Sequence, residues 1–419
     1  MQPAGTNVLT STVRRVASVS ATAPGLLIRL PARRTLQHIT APPAPAPEGL
    51  ALLKSRRLIS VAGPDSASFL QGLITGNLFE GPAHQAIITA PGLYTAFLTA
   101  QGRLRNDVFI YRDTTNLARG TFASPSSAFL IEVDASHTKG LSDLLSRHKL
   151  RSRIRIRLLE EDEASIHAYW SPSPSLSLPP LPPGTIHLPD LRADGALGHR
   201  ILTSTPLAPT VPEQNYHLHR YLHGIAEGQS ELPAETSLPL ESNLDTSSRA
   251  AIDFHKGCYV GQELTIRTRH RGVVRKRVLP VVVYPAGESP PVDLGEGVYE
   301  SEILTGVETS QIPFGENITF VNKASRTAPG RWIRGVGNVG LALVRLEKMT
   351  DLRWTGAGAE MGAGTDAERG AVEVGDEKVD EFRIVAEGGR ELRVKAFVPR
   401  WLRKALPWKE WTSVGEERA

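Results

Sequence analysis

The chain contains one cysteine, and the residues around it favour a reactive thiol. Cys258 lies between Gly257 and Gly261, and Lys256 stands two positions before it. No Asp or Glu occurs from Leu264 to Gly287. A positive setting favours the thiolate, and glycines let the main chain approach a ligand closely. The alternative is a small buried hydrophobic side chain, the commonest fate of a single cysteine.

The segment that follows the cysteine alternates in a way that predicts a β-strand. Arg267, Arg269 and Arg271 would lie on one face of that strand, because neighbouring side chains point to opposite faces. Guanidinium groups in a row suit carboxylate or phosphate groups. A solvated strand face is the alternative interpretation.

Three histidines upstream suggest a metal site at first sight, but the spacing argues against it. His219 and His223 are four residues apart and would share a helical face, whereas His217 is spaced wrongly for that face. No HExxH motif accompanies them. With one cysteine in the chain, an intramolecular disulfide and a zinc site of several thiolates are both excluded. No metal site is predicted.

The N-terminal segment has the composition of a mitochondrial presequence. Residues 1–47 contain five arginines, nine Ser or Thr residues and no acid. We predict a transit peptide over 1–47, removed on import to the matrix; a flexible tail is the alternative. The rest of the chain has 43 basic against 44 acidic residues, so its charge gives no support to nucleic-acid binding. No apolar run is long enough to span a membrane.

Periodicity indicates a mixed fold, and the length of 419 residues suggests two or three domains. The predicted elements are a strand at Leu58–Val61, a helix around Phe69–Leu73, a hairpin within Tyr94–Tyr111, a helix within Asp134–Leu150, strands at Ile154–Leu158 and Val278–Tyr284, and C-terminal strands at Asn317–Phe320, Gly340–Leu346, Phe382–Val385 and Glu391–Phe397. Two low-complexity segments, 171–184 (rich in Pro and Ser) and 356–381 (rich in Gly and acids), are predicted to be disordered insertions.

The motif KGCYVGQE at Lys256–Glu263 resembles the signature of the YgfZ-type family, folate-binding relatives of the glycine-cleavage T-protein. The motifs YHLHRYLHGIAEG, LPLESNLD and GVVRKR resemble the mitochondrial branch of that family, which acts in maturation of [4Fe-4S] proteins. The resemblance covers most of residues 55–350. It implies an α+β fold of intertwined ferredoxin-like halves around a folate pocket (48–285), followed by a C-terminal β-barrel module (286–419).

The resemblance also implies a site. Its catalytic residues would be Cys258 and Lys256, and its cofactor would be tetrahydrofolate or a derivative. Glu241 would grip the pterin, since a carboxylate can accept from adjacent N–H donors. A solvated loop acid is the alternative for Glu241. The full set of implied folate contacts is Glu241, Asp107, Gly257, Gly261, Gln262, Arg267 and Arg269.

One position departs from the T-protein pattern. Where that enzyme carries two adjacent aspartates, this chain has Asn106-Asp107, and an amide cannot replace a carboxylate in acid–base chemistry. Enzymatic activity is therefore uncertain, and the resemblance favours an assembly factor that works with A-type iron–sulfur carriers and with aconitase-like or radical-SAM clients.

A lone thiolate supplies one ligand, so a cluster at Cys258 would be shared with a partner. The alternatives are a one-carbon transferase, an RNA-binding protein and a cysteine hydrolase with His255 or His270 as base. RNA binding is disfavoured because no aromatic residue lies from Leu264 to Lys276.

Overall fold

The computed structural model describes nine segments of the chain. They are residues 45–80, 86–117, 128–172, 178–246, 251–295, 298–300, 309–354, 380–406 and 411–413. The predicted leader falls almost wholly outside these ranges, as does nearly all of the segment 356–381. None of the described helices has the length and apolar character that a membrane span needs.

A five-stranded antiparallel sheet carries two helices on one face. Its strands, in spatial order, are β5 (Gly92–Leu98), β6 (Leu104–Arg112), β7 (Ala128–Asp134), β2 (Arg56–Ala62) and β8 (Arg155–Leu158). The two helices, α1 (Ser66–Gln71) and α2 (Thr138–His148), share a core with Ile59 and Val61 of β2, while Leu58 faces the opposite side. This alternation within one strand is the two-residue period of a sheet that is covered on both faces.

A four-stranded antiparallel sheet covers the other face. Its spatial order is β1 (Gly49–Leu52), β9 (Ser165–Trp170), β11 (His199–Thr203) and β10 (Ile186–Pro189). Its buried Trp170 packs in one cluster with Tyr216 from α3 (Glu213–Leu222) and with Phe109 and Tyr111 of β6. The first half of the fold is thus a layer of helices on two stacked sheets.

A closed six-stranded barrel forms the C-terminal part. In spatial order its strands are β12 (Lys276–Pro285), β15 (Val339–Arg345), β14 (Gly330–Val336), β13 (Asn317–Phe320), β17 (Phe382–Val385) and β18 (Glu391–Ala396). Its first strand precedes residue 286, where the sequence placed the start of this module. The described chain also has two short helices, at Leu346–Met349 and Arg400–Ala405. Two further pairs of short strands are β3 (Phe79–Glu80) with β4 (Ala86–Ile87), and β16 (Leu352–Trp354) with β19 (Trp411–Ser413).

The segment after the cysteine is a helix, so the predicted strand is wrong. Helix α4 runs over Gln262–Arg271 and follows Gly261, which adopts the left-handed conformation with φ of 80°. Glu263 lies in its first turn, and Arg269 and Arg271 lie in its last, an arrangement that the helix dipole favours. The alternation of apolar and charged residues suggested a strand, but such a pattern forms a strand only where a neighbouring strand is available to pair with it.

The Pro/Ser-rich segment 171–184, predicted to be a disordered insertion, is described at its two ends, and its second half packs against the body of the chain. Leu178 and Leu181 are partly buried against a cluster made by Leu50, Tyr169 and Ile201. Residues 173–177 lie outside the described part of the chain. Leu178 and Leu181 thus pack the second half of the segment against the four-stranded sheet.

Candidate functional site

The loop that carries the cysteine is held by a half-buried lysine. Lys256 donates from Nζ to three main-chain oxygens, those of Gln71 (2.7 Å), Ile74 (2.8 Å) and Gly76 (2.6 Å). These oxygens belong to the end of α1 and to the turn that follows it. The amine of Lys256 thus has three main-chain acceptors, and these bonds tie the cysteine loop to the end of α1; its predicted catalytic role stays a prediction.

The protonation of Lys256 is decided by two opposing effects. Burial lowers the pKa of Lys256 to about 7. Three carbonyl acceptors favour the ammonium form, since only –NH3+ has three N–H groups to donate. Because all three oxygens lie at hydrogen-bond distance, we assign the ammonium form to the folded chain at neutral pH.

Replacing Lys256 with methionine is expected to lower the free energy of unfolding by about 1–3 kcal/mol, because carbonyl oxygens are left without a donor. Chemical denaturation of the purified variant measures this loss. The matched control is Lys54→Met at an exposed position, where we expect a change below about 0.5 kcal/mol. Equal stability of the two variants would contradict the anchoring role.

A second anchor lies on the other side of the same loop. Asp253 Oδ1 accepts from the backbone N–H of His255 (2.7 Å) and Lys256 (3.2 Å), and its Oδ2 accepts from Asn77 Nδ2 (2.9 Å). The carboxylate thereby fixes the main chain two residues before Gly257. These bonds lower the pKa of Asp253, against an opposing effect of burial, which is the largest single influence.

Two glycines allow the loop to meet the β5–β6 hairpin turn. A Cβ on Gly261 would lie 2.2 Å from the carbonyl oxygen of Thr99, and a Cβ on Gly102 would lie 2.7 Å from Leu264 Cβ. Both glycines also have positive φ angles, so any side chain there is strained. Gly261 and Gln262, predicted as folate contacts, therefore shape the loop: Gln262 Oε1 accepts from the backbone N–H of Tyr259 (3.1 Å).

Cys258 is exposed at the tip of this doubly anchored loop. The alternative of a buried hydrophobic cysteine is therefore wrong. Neighbouring Gly257 is exposed as well, and a Cβ built on it would meet no atom within 4 Å. A rigid loop that presents one thiol to solvent can supply a single sulfur ligand or nucleophile to a second molecule.

Glu241, the predicted pterin contact, lies beside the first strand of the barrel. Its side chain is 20% exposed, and its Oε1 is 3.5 Å from Nζ of Lys276. Its main-chain oxygen accepts from the N–H of Val278 (2.8 Å), which fixes the segment against β12. The carboxylate therefore reaches solvent and retains capacity to accept hydrogen bonds.

Asp107, a second predicted folate contact, is fully buried and already paired. Its Oδ1 accepts from the N–H of Gly228 (3.0 Å), and its Oδ2 lies 3.4 Å from Nη1 of Arg56. Burial raises the pKa of Asp107, and Arg56 works in the opposite direction. Neighbouring Asn106 is also buried, at 2% exposure. Both carboxylate oxygens of Asp107 thus have partners within the folded chain.

Arg267 and Arg269, the last predicted folate contacts, point to different sides of α4. Two residues along a helix correspond to about 200° of rotation, so these guanidinium groups cannot form the single row expected of a strand. The guanidinium of Arg269 lies 5.2 Å from the centre of the Phe254 ring. Arg267 is exposed, one turn before Arg271.

A buried network of charges joins the two sheets and α3, and sequence reasoning missed it. Glu227 is at its centre: its Oε2 accepts from Arg192 Nη2 (2.7 Å), Tyr216 OH (2.9 Å) and Arg200 Nη2. The surrounding arginines hold the pKa of Glu227 well below its ordinary value, although burial, the largest influence, acts to raise it. The buried members are Arg56, Asp107, Glu132, Asp190, Arg192, Arg200, Arg220, Glu227 and Glu231.

The three histidines of the rejected metal site are engaged elsewhere. His219 Nε2 is 3.1 Å from the main-chain oxygen of Ala196, and His223 Nδ1 is 2.8 Å from that of His219. His217 Nε2 lies 3.8 Å from Oε1 of Glu213. Burial is the main reason that the pKa of His219 lies near 3. Among the described residues, no group of three or more His, Cys, Asp or Glu side chains is arranged to hold a metal ion.

Two cavities flank these elements. The larger, about 2430 Å³, is an open groove between the four-stranded sheet and the barrel, bordered by residues such as Trp170, His219 and Trp401. The smaller, about 520 Å³, lies beside the cysteine loop and is lined by Leu73, Phe97, Leu98, Leu144 and Val260 with a polar rim. Cys258 and Glu241 do not belong to the lining of either of these two cavities.

Known proteins resemble the chain over its whole length. A family described as "CAF17, C-terminal beta-barrel domain" matches residues 275–404, which include the barrel. The protein named iron-sulfur cluster assembly factor IBA57 homolog, mitochondrial, from Chaetomium globosum is 46% identical, covering 98% of this chain and 100% of that protein. The protein of the same name from Neurospora crassa is 41% identical, covering 100% of this chain and 96% of that protein.

A solved structure confirms the predicted fold. Glycine cleavage system aminomethyltransferase T from Bartonella henselae superposes with a TM-score of 0.52 and 13% identity, covering 85% of this chain and 86% of that one. Such low identity bears on the fold alone. Together with the closed barrel, it confirms the α+β T-protein-like architecture.

Proposed function

This chain belongs to the family of mitochondrial iron–sulfur cluster assembly factors homologous to IBA57, and we propose that it assists maturation of [4Fe-4S] proteins in the mitochondrial matrix. The observation that carries the proposal is the exposed thiol of Cys258 on a loop anchored by Lys256 and Asp253. An anchored loop reduces the conformational entropy that is lost when the sulfur engages a partner.

The cluster is the cargo, and Cys258 provides one of its ligands. Iron–sulfur clusters are held mainly by cysteine thiolates, and this chain has a single cysteine. The remaining ligands must come from a second protein. We infer that this protein is an A-type carrier, and that aconitase-like and radical-SAM enzymes receive the product.

The test of the proposed function is anaerobic co-purification of the chain with the A-type carrier of the same organism. We expect visible absorption of an iron–sulfur cluster and bound iron in the joint fraction, and neither from the chain alone. Loss of aconitase activity in cells that lack the chain, restored by re-expression, is the companion result. Normal aconitase activity without the chain would contradict the function.

We also propose that a reduced folate binds beside Glu241, as a second property of the fold. Of the seven predicted contacts, Glu241 fits this role, since its carboxylate is partly exposed and has one counter-ion at 3.5 Å. Asp107 does not fit, because its oxygens already accept from Gly228 and Arg56. A one-carbon transferase is disfavoured for the same reason, since no free carboxylate is offered at Asn106-Asp107.

Replacing Glu241 with alanine is expected to weaken binding of tetrahydrofolate about tenfold or more, because a charge-assisted hydrogen bond contributes about 1.5–3 kcal/mol. Fluorescence titration measures the affinity. The exposed Glu160→Ala variant is the control and should bind like the unmodified chain. Unchanged affinity in Glu241→Ala would move the pterin site elsewhere.

A further inference from the structure

The exposed side of α4 and the residues just after it carry more positive than negative charge, since Glu263 in the first turn is the only acid among them. Arg267, Arg271 and Arg275 are exposed, as is His270. None of them forms an ion pair with a described residue. Arg267 and Arg271 stand four residues apart, a like-charge spacing that destabilises a helix. We call Arg267 and Arg271 of α4, together with Arg275 four residues beyond the helix, the basic face.

The basic face is continuous with the cysteine loop and with the smaller cavity. Gly261, which begins α4, lies against Thr99 of the hairpin turn, and Leu264 lies against Gly102. Val260, two residues after Cys258, lines the cavity. The surface formed by residues 257–275 therefore holds the exposed thiol and a net positive charge, and Val260 of the same segment lines the apolar recess.

The recess has the size and lining of a binding pocket for a large apolar side chain. Its volume of about 520 Å³ falls in the range of ligand pockets. Apolar residues of β5, α2 and the cysteine loop line it, and Arg103 and Arg105 stand at its rim. Arg105 is paired with Glu235 at 3.3 Å, whereas the guanidinium of Arg103 donates to the main-chain oxygen of Thr236. The rim adds to the positive charge of the surface.

Resting on the proposed function, we propose that this surface docks an acidic protein partner, which inserts an apolar side chain into the recess and presents its own ligands beside Cys258. The positive charge of this surface favours a partner with a negatively charged surface, because complementary potentials speed the encounter of two proteins and fix their relative orientation. A protein is favoured over a nucleic acid because the sequence from Leu264 to Lys276 contains no Phe, Tyr or Trp on which a base could stack.

The test compares Arg267→Glu/Arg271→Glu with a matched control, Arg326→Glu/Arg331→Glu, whose residues are exposed on the barrel side of the chain. Calorimetric titration of the full chain with the A-type carrier is expected to show affinity at least tenfold weaker for the α4 variant and unchanged for the control. Affinity of the unmodified chain should fall steeply between 50 and 300 mM salt. A Gln101→Trp variant, placed at the border of the recess, should also weaken binding.

The other possible results fall into two groups. Some contradict the docking surface and leave the proposed function intact, and one contradicts both the docking surface and the partnership with the carrier. Equal carrier binding by both charge-reversal variants, with normal aconitase in cells, overturns the surface alone. Binding of polyuridine RNA or of cardiolipin-containing vesicles that only the α4 variant loses, with carrier binding intact, assigns the basic face to those molecules and overturns the proposal. Failure of the unmodified chain to bind the carrier at any salt overturns both the surface and the carrier partnership. Circular dichroism melts establish that each variant is folded.

Discussion

Replacing Cys258 with serine is expected to abolish support of [4Fe-4S] enzymes while leaving the melting temperature within about 2 °C of the unmodified chain. Cys258 is exposed, so the hydroxyl is solvated and no cavity is created. Serine stays protonated near neutral pH and is a poor ligand for iron, whereas thiolate is a strong one. Sulfur chemistry is lost and packing is retained.

The measurement pairs two observables for the same variant. Aconitase activity is followed in cells that carry only Cys258→Ser, and the melting curve is recorded on the purified protein. Lys256→Met provides the contrast, because it should lower stability while it retains the thiol. Normal aconitase activity in the Cys258→Ser cells would show that the function does not depend on the thiol.

Replacing Glu227 with glutamine is expected to lower the free energy of unfolding by about 3–5 kcal/mol, the largest stability effect we foresee. The amide has nearly the same shape but leaves Arg192 and Arg200 buried without their shared counter-charge. Urea denaturation measures the loss. Glu391→Gln removes an ion pair of Arg393 at the surface and should cost less than about 1 kcal/mol. A loss below 1 kcal/mol for Glu227→Gln would contradict this account.

The same network predicts how stability depends on pH. The pKa values of Glu227 and Glu231 are lowered in the folded chain, mainly by arginines acting against the effect of burial. Their stabilising contribution is complete above the ordinary glutamate pKa and is lost as pH falls below about 4.5, because the unfolded state then binds more protons. Glu227→Gln should show a shallower loss of stability on acidification.

Elements with a clear period were predictable from the sequence. The β5–β6 hairpin, helix α2 and strand β12 are where apolar spacing and turn residues placed them. Helix α4 was not, because its alternation fits either period and its start depends on the left-handed Gly261 packed against Thr99. That contact joins residues far apart in sequence.

The exposed cysteine was found from its motif, whereas the charged core was not. Arg56, Arg192 and Arg200 are scattered along the chain, and arginine is a surface residue by default. Nothing local distinguishes a buried guanidinium from a solvated one. A signal was present in YHLHRYLHGIAEG, which holds Tyr216 and Glu227 together with Arg220.

The lysine anchor has a consequence for how the chain can change over time. Lys256 binds oxygens of the main chain, which every amino acid supplies, so the anchor does not depend on the side chains of Gln71 and Ile74. A substitution at either position that keeps the main-chain path therefore leaves the acceptors of this anchor in place. The anchor therefore constrains the residue type at Lys256 much more than the residue types at the positions that supply its acceptors.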